Sequence, residues 1–348
     1  MSCNEAITMS EHLSRNVVIT QRFFDPQSLA WLRSQGCTVQ IAELCEGQGD
    51  GDLSQAQLVA LLAEADGWIV GHAHITAGLL AQLPRLQVIS RRGVGYERVD
   101  VDAVRASGKV ATIAVGGNDA SVADHALAMM LALGRRLGES KARMVNGEWS
   151  IVLGSDLYGK TVGIIGLGRI GRGVAKRLAG FDARVLAYSP TLDWRYANET
   201  GVTFVDLDTL LAESDYVTLH APLVEETRLL IDAQKLNRMK PTAFLINTAR
   251  GGLLDDRALL EALLDGAIAG AGLDVFLSEN DPTYRPVTEA LLALPNVVAT
   301  PHSGASTHEG LQRTNMVAAQ CVVAVLDGDS PPPACVIVDG RGSDARGQ

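Results

Sequence analysis

Five places in the sequence put groups able to do chemistry directly behind an apolar run. Val94 and Gly95 lie in the stretch RRGVGY (91–96), behind a run ending at Ser90. Arg250 follows a run ending at Asn247 and precedes two glycines. Asp274 closes the run that begins at Ile268, and Glu279 comes five residues later. His302 follows Pro301, behind the run 297–300. In open parallel sheets, ligands bind beyond the carboxyl ends of the strands, so these positions are candidates. Their chemistries are complementary. Histidine exchanges a proton near neutrality. A carboxylate paired to it raises its pKa and fixes its tautomer. An arginine forks onto a carboxylate and polarises a carbonyl. Glycine on either side of Val94 lets backbone N–H groups face an anion. Taken singly, Glu279 reads as a solvated loop carboxylate and Val94 as a core residue. His220 holds a similar strand-end position, so position alone does not choose between the two histidines.

The stretch 161–189, TVGIIGLGRIGRGVAKRLAGFDARVLAYS, gives these groups something to act with. An apolar run meets Gly166-Leu-Gly168-Arg169-Ile170-Gly171, a helix-like run follows, and a second apolar run closes it. Strand, G-x-G-x-x-G and helix in that order bind dinucleotides. Gly166 permits the tight turn, Gly168 lets a pyrophosphate approach the backbone, and Gly171 lets helix and strand pack closely. The helix N-terminus then faces the phosphates. The second strand should end in an acid that binds the ribose of NAD. That position is Ser189, and the nearest carboxylate, Asp193, lies beyond Pro190. Dinucleotide binding is expected, and NAD or NADP is left open. With a nicotinamide in place, the strand-end groups form a hydride-transfer site. A histidine supplies the proton, Arg250 polarises the carbonyl, and the Val94 and Gly95 amides hold the substrate carboxylate from the other domain.

The elements that must position these groups follow from the pattern of the chain. At 348 residues, two domains are expected. Apolar residues at 47% fill large cores, and charged residues at 20% argue against disorder. A net charge of −10 argues against a nucleic-acid partner, which needs a basic face. Five scattered cysteines without a C-x-x-C pair read as free thiols in a reducing compartment. No 18-residue apolar run suggests a membrane span, and the polar N-terminus does not read as a secretory signal, so the cytoplasm is the expected location. Strands alternate with helices from residue 16 to 113 and again from 161 to 300, which predicts two doubly wound parallel α/β units. A helix over 121–137 is apolar almost all round and belongs in a core or at a subunit contact. The stretch 144–156 lacks periodicity. A final helix over 307–326 needs a partner surface. If it returns to the first domain, the cofactor domain (119–305) is an insertion in a substrate domain made of 1–118 and 306–348. Residues 1–15 read as a loose leader, and the tail from Gly340 as disordered.

Seven ordered motifs carry a resemblance: ISRRGVGYERVD (89–100), GGNDASVADHALAMMLALGR (116–135), GLGRIG (166–171), VTLHAPL (217–223), INTARGG (246–252), GLDVFLSE (272–279) and TPHSGAST (300–307). Together they resemble the D-isomer-specific 2-hydroxyacid dehydrogenase family, over about residues 60–310. The resemblance implies an NAD(P)-dependent oxidoreductase acting on a 2-hydroxy or 2-keto acid, with catalytic Arg250, Glu279 and His302. His302 is then the acid/base. It implies cofactor contacts from His220, Ala221, Pro222, Thr227, Thr248, Ala249 and Gly304, with Asp274 near the nicotinamide. Closure on a hinge and a homodimer built around the 121–137 helix are also implied. Four positions depart from the family pattern: Ser189 for an acid, Glu97-Arg98 for Asp-Asn, Asn280 for proline, and Gly71-His72 where phosphoglycerate dehydrogenases carry an arginine. A 3-phosphoglycerate dehydrogenase is the alternative enzyme, and a dinucleotide-sensing, corepressor-like binding protein is the alternative of another class.

Overall fold

The computed structural model describes residues 15–342. The expected leader falls almost wholly outside the described residues, as does the tail beyond 342. The chain divides into two compact units. One runs to Asn118 and resumes at His308, and the other spans Asp119–Thr307.

The first unit begins with five strands: β1 (Arg15–Ile19), β2 (Cys37–Ile41), β3 (Gly67–Val70), β4 (Val88–Arg91) and β5 (Val110–Ile113). They are parallel, in the order β2-β1-β3-β4-β5. β3 and β4 are buried throughout, as strands covered on both faces must be. Successive side chains of β1 point to opposite faces. Val18 meets Leu58, Leu62, Trp68 and Leu79 on one side. Val17 and Ile19 meet Ala318, Ala319, Val322 and Val323 on the other. Those four belong to the helix His308–Leu326, which therefore finds its partner surface in this sheet.

The second unit holds β6 (Thr161–Ile165), β7 (Arg184–Tyr188), β8 (Thr203–Phe204), β9 (Tyr216–Leu219), β10 (Phe244–Asn247), β11 (Gly270–Leu273) and β12 (Val297–Ala299). All are parallel, in the order β8-β7-β6-β9-β10-β11-β12. The order reverses between β6 and β9, which is where an open sheet forms its ligand crevice. A last strand, β13 (Val336–Asp339), returns to the first unit and pairs antiparallel with β5.

Several elements differ from the sequence reading. β13 makes the first sheet mixed, because the triple proline ahead of it ends the helix without preventing a short edge strand. Gly340 donates its N–H to Lys109, so the described chain stays ordered past the point where a loose tail was expected. The helix expected over 121–137 is Asp119–Gly134, and it spends its apolar surface inside its own unit on Leu157, Val162 and Val174. A second helix, Leu137–Val145, follows where none was expected, with no buried residue. Seven exposed apolar residues lie here and just beyond: Leu137, Met144, Val145, Trp149, Ile151, Leu153 and Tyr158. Helices Trp194–Thr200 and Arg285–Leu292 were also not expected. Among the described residues, no helix is long and apolar enough to cross a membrane. Cys37, Cys45, Cys321 and Cys335 are free.

Candidate active site

The dinucleotide fingerprint sits where the strand order of the second unit reverses. Gly166 follows β6 with φ +97°, and a Cβ there would lie 2.7 Å from the Ala221 nitrogen. Only glycine satisfies both the conformation and the close approach of the chain leaving β9. A Cβ on Gly171 would lie 2.2 Å from the Gly166 carbonyl oxygen, so helix and strand pack backbone to backbone. Gly168 caps the helix Arg169–Leu178 with no side chain on its amides and open space before it. An uncapped helix N-terminus with no Cβ in front of it suits a phosphate. Two buried polar atoms at neighbouring strand ends have no protein partner: Nδ1 of His220 after β9, and Oγ1 of Thr248 after β10. Such atoms call for a ligand. The residues present therefore fit a dinucleotide. Thr227 closes the loop after β9, donating its hydroxyl to Pro222 and accepting the Val224 N–H. Ser189 follows the last residue of β7, and Asp193 is engaged elsewhere. It caps the helix Trp194–Thr200 and pairs with Arg172 at 2.9 Å, and its pKa is lowered by the Tyr196 amide and then by Arg172.

Three adjoining strand ends of the same unit bring the reactive groups together. Nδ1 of His302, beyond β12, lies 2.7 Å from Oε2 of Glu279, beyond β11. The other oxygen of Glu279 accepts the Phe276 N–H at 2.7 Å, which fixes the carboxylate toward the histidine. His302 has φ +51°, an unusual conformation for a side-chain-bearing residue, and it is held there. Its N–H donates to the carbonyl of Asp274 at 2.8 Å. The Asp274 carboxylate accepts the Ser303 and Gly304 amides and the Thr300 hydroxyl. Burial works to raise its pKa, but hydrogen bonds from His125, Thr300, Gly304 and Ser303 bring it below the usual value. Asp274 thus braces the His302 loop. Arg250 leaves β10 through a turn in which Asn247 donates to the Arg250 carbonyl and accepts the Ala249 N–H. Gly251 brings that turn against the Glu279 loop, since a Cβ would lie 2.3 Å from the Phe276 carbonyl carbon.

The two histidines are told apart by their surroundings. Burial drives His220 down to about 3, so it is neutral, and its Nε2 is engaged with Thr218. His302 has the carboxylate partner and partial exposure of a proton donor. Sequence reasoning missed three supporting residues. Thr300, on the His302 loop, donates to Asp274 and bonds His125, whose Nε2 lies 3.5 Å from the Asp274 carboxylate, and both lie in motifs already noted. Asp256 is buried and accepts the Leu277 N–H at 2.9 Å. Burial, with Asp255 and Glu279 nearby, pushes it up to about 7. Nothing in the sequence separates it from the capping aspartate, Asp255, beside it. Val94 and Gly95 lie in the first unit, half-buried on the loop after β4.

A doubly wound sheet with a dinucleotide fingerprint at its switch point and a braced histidine–carboxylate pair defines a dinucleotide-binding α/β protein equipped for proton transfer. Residues 127–304 match the family described as D-isomer specific 2-hydroxyacid dehydrogenase, NAD binding domain, and the chain belongs to that family. It is 41% identical over 290 residues to the D-3-phosphoglycerate dehydrogenase of Mycobacterium leprae, covering 82% of this chain and 54% of that one. This chain spans about half the length of the phosphoglycerate dehydrogenases it matches. It is also 41% identical to the glyoxylate reductase of Thermococcus litoralis, covering 73% of this chain and 78% of that protein. The crystal structure of the TT0316 protein from Thermus thermophilus superposes with a TM-score of 0.82 at 36% identity. It covers 93% of this chain and 100% of that one.

Proposed function

We propose that this protein interconverts a D-2-hydroxy acid and its 2-keto acid using NAD or NADP. The observation that carries the reading is the 2.7 Å pair of His302 and Glu279, braced through Asp274, in the unit that holds the dinucleotide fingerprint. The nicotinamide, when bound, supplies or accepts the hydride at carbon. In the reducing direction, His302 gives its Nε2 proton to the carbonyl oxygen and keeps its Nδ1 proton on Glu279. Glu279 stabilises the imidazolium before transfer and fixes the tautomer after it. Arg250 polarises the carbonyl, and the substrate carboxylate is assigned to the Val94 and Gly95 amides. On this reading the second unit holds the cofactor and the first the substrate carboxylate. The equal identities to a phosphoglycerate dehydrogenase and a glyoxylate reductase support 3-phosphoglycerate dehydrogenation as the second reading.

The deciding experiment is oxidation of NADH or NADPH by a panel of 2-keto acids. Turnover with any member supports the reading. Tight dinucleotide binding without turnover refutes it in favour of a dinucleotide-sensing binding protein. We also place the protein in the cytoplasm, in keeping with its free thiols. We assign a homodimer to the exposed apolar arm at 137–158, a patch of the kind that marks an interface. Sedimentation of a Trp149→Ser, Ile151→Ser, Leu153→Ser variant should show monomers. A wild type that sediments as a monomer removes the assignment.

A further inference from the structure

The helix Asp119–Gly134 carries one imidazole to the strand ends of its own unit. The helix packs closely on β11: a Cβ on Gly272 would lie 3.0 Å from Cβ of Met129. One turn earlier on the same face, His125 reaches Asp274, two residues beyond Gly272 in the chain. Its Nε2 lies 2.9 Å from Oγ1 of Thr300 and 3.5 Å from Oδ1 of Asp274. Gly304 closes over the ring. A Cβ there would lie 2.9 Å from Oδ2 of Asp274 and 3.4 Å from Cδ2 of His125, so the loop after His302 comes against both side chains.

The protons in this cluster can be counted. Thr300 has one hydroxyl hydrogen, and it goes to Oδ1 of Asp274 at 2.6 Å. That carboxylate is purely an acceptor. Burial works to raise its pKa, but the hydrogen bonds it receives outweigh burial and hold it below the usual value. Toward His125 the Thr300 oxygen therefore only accepts, and Nε2 of His125 is the donor. The Asp274 carboxylate also takes the Ser303 N–H at 2.8 Å and the Gly304 N–H at 2.9 Å. The Asp274 carbonyl takes the His302 N–H at 2.8 Å. His302 sits among these anchors at φ +51°, a conformation that persists only where its surroundings impose it. The donor on His125 turns the Thr300 hydroxyl toward Asp274, and Asp274 in turn holds three successive amides of the loop that carries His302.

We propose that His125 is a positioning residue for the reaction: its Nε2–H orients Thr300 on Asp274 and so fixes the loop that presents His302. The proposal rests on the dehydrogenase reading and deepens it. His125 moves no proton to or from the substrate in this role. Its contribution is geometric, and displacing a reacting group by about 1 Å can cost on the order of 10²-fold in rate. Glutamine can place an amide N–H where Nε2 stands. Asparagine is too short to do so, and leucine fills the space without a donor.

The test compares His125→Leu and His125→Gln with wild type. Turnover is measured with the fastest keto acid of the panel, and affinity for NADH and NADPH by fluorescence titration. We expect kcat to fall at least about tenfold in His125→Leu and to recover to within about threefold of wild type in His125→Gln, with dinucleotide affinity changing less than kcat. A leucine variant within about twofold of wild type overturns the proposal, because packing alone would then suffice. So does a glutamine variant as slow as the leucine one, because the donor would then be immaterial. A loss of dinucleotide affinity as large as the loss in kcat also overturns it. Hydrogen exchange over residues 300–307, read by mass spectrometry, gives a second measure that needs no turnover. Exchange there should quicken at least about tenfold in His125→Leu and by less than about threefold in His125→Gln. If no keto acid turns over, the dehydrogenase reading fails and exchange alone judges His125. Equal exchange in all three proteins would then overturn its role. His125→Asn replaces the leucine variant if that one does not fold, with the same outcomes expected.

Discussion

Replacing Asp256 by asparagine isolates the effect of one buried proton. Asp256 opens the helix Asp256–Leu264, is 1% exposed, and holds the Leu277 amide two residues before Glu279. Burial is the main reason its pKa rises from 3.8 to about 7, with the charges of Asp255 and Glu279 adding to it. In the unfolded chain the proton leaves near 3.8, while in the folded protein it stays until about 7. The proton's contribution to stability is therefore complete below 3.8 and lost as pH rises to about 7. Each pH unit inside that window removes about 1.4 kcal/mol. From about pH 5 to about pH 8 the loss is roughly 2.7 kcal/mol, all of it accruing in the two units below 7. Asparagine keeps an oxygen for Leu277 and does not titrate. Urea unfolding at both pH values should therefore show Asp256→Asn gaining about that much relative to wild type as pH rises. Parallel pH dependences in the two proteins would refute the reasoning, because Asp256 would then be ionised throughout.

Three further outcomes follow from the site. His302→Ala should lower kcat at least about 10²-fold with dinucleotide binding retained; near-normal turnover would require another proton donor, and neutral His220 is poorly suited to that part. Gly251→Ala should displace the Glu279 loop, because its Cβ would meet the Phe276 backbone. It should destabilise the protein by about 1–3 kcal/mol and lower kcat, and a variant unchanged in both would mean that the two loops move apart freely. Ser189→Asp should shift kcat/KM toward NADH over NADPH by at least about tenfold, equivalent to about 1.4 kcal/mol of repulsion against a 2′-phosphate. An unchanged ratio would mean that Ser189 does not face that phosphate.

The strands and the fingerprint were legible in the sequence because buried parallel strands read as short apolar runs and glycines mark positions no other residue can take. Gly166 and Gly171 meet backbone in the structure where the motif requires it. The pairing of His302 with Glu279 could be expected only as a combination, since 23 residues and a helix separate them. What was not legible depended on tertiary contact. The helix Leu137–Val145 has no buried face to impose a period. β13 is an edge strand defined by its neighbour β5. Asp256 and Asp255 are adjacent and chemically identical, and only the fold makes one a cap and the other a buried acid.

The insertion of one unit into the other also sets the order in which they can be completed during synthesis. The cores of the second unit draw only on residues 123 to 299. The first unit has its five parallel strands early, but one face of that sheet waits for Ala318, Ala319, Val322 and Val323. Ribosomes add about 5–20 residues per second, so the intervening stretch of roughly 190 residues takes on the order of 10–40 s. Through that interval Val17, Ile19, Ile69, Val88 and Val110 have only part of their cover, from Phe24, Trp31, Leu32 and Cys37. The N-terminal third is therefore the part of the nascent protein most in need of a chaperone, although it is made first. Proteolysis of chains arrested near residue 307 should find the inserted unit resistant and the first hundred residues readily cut.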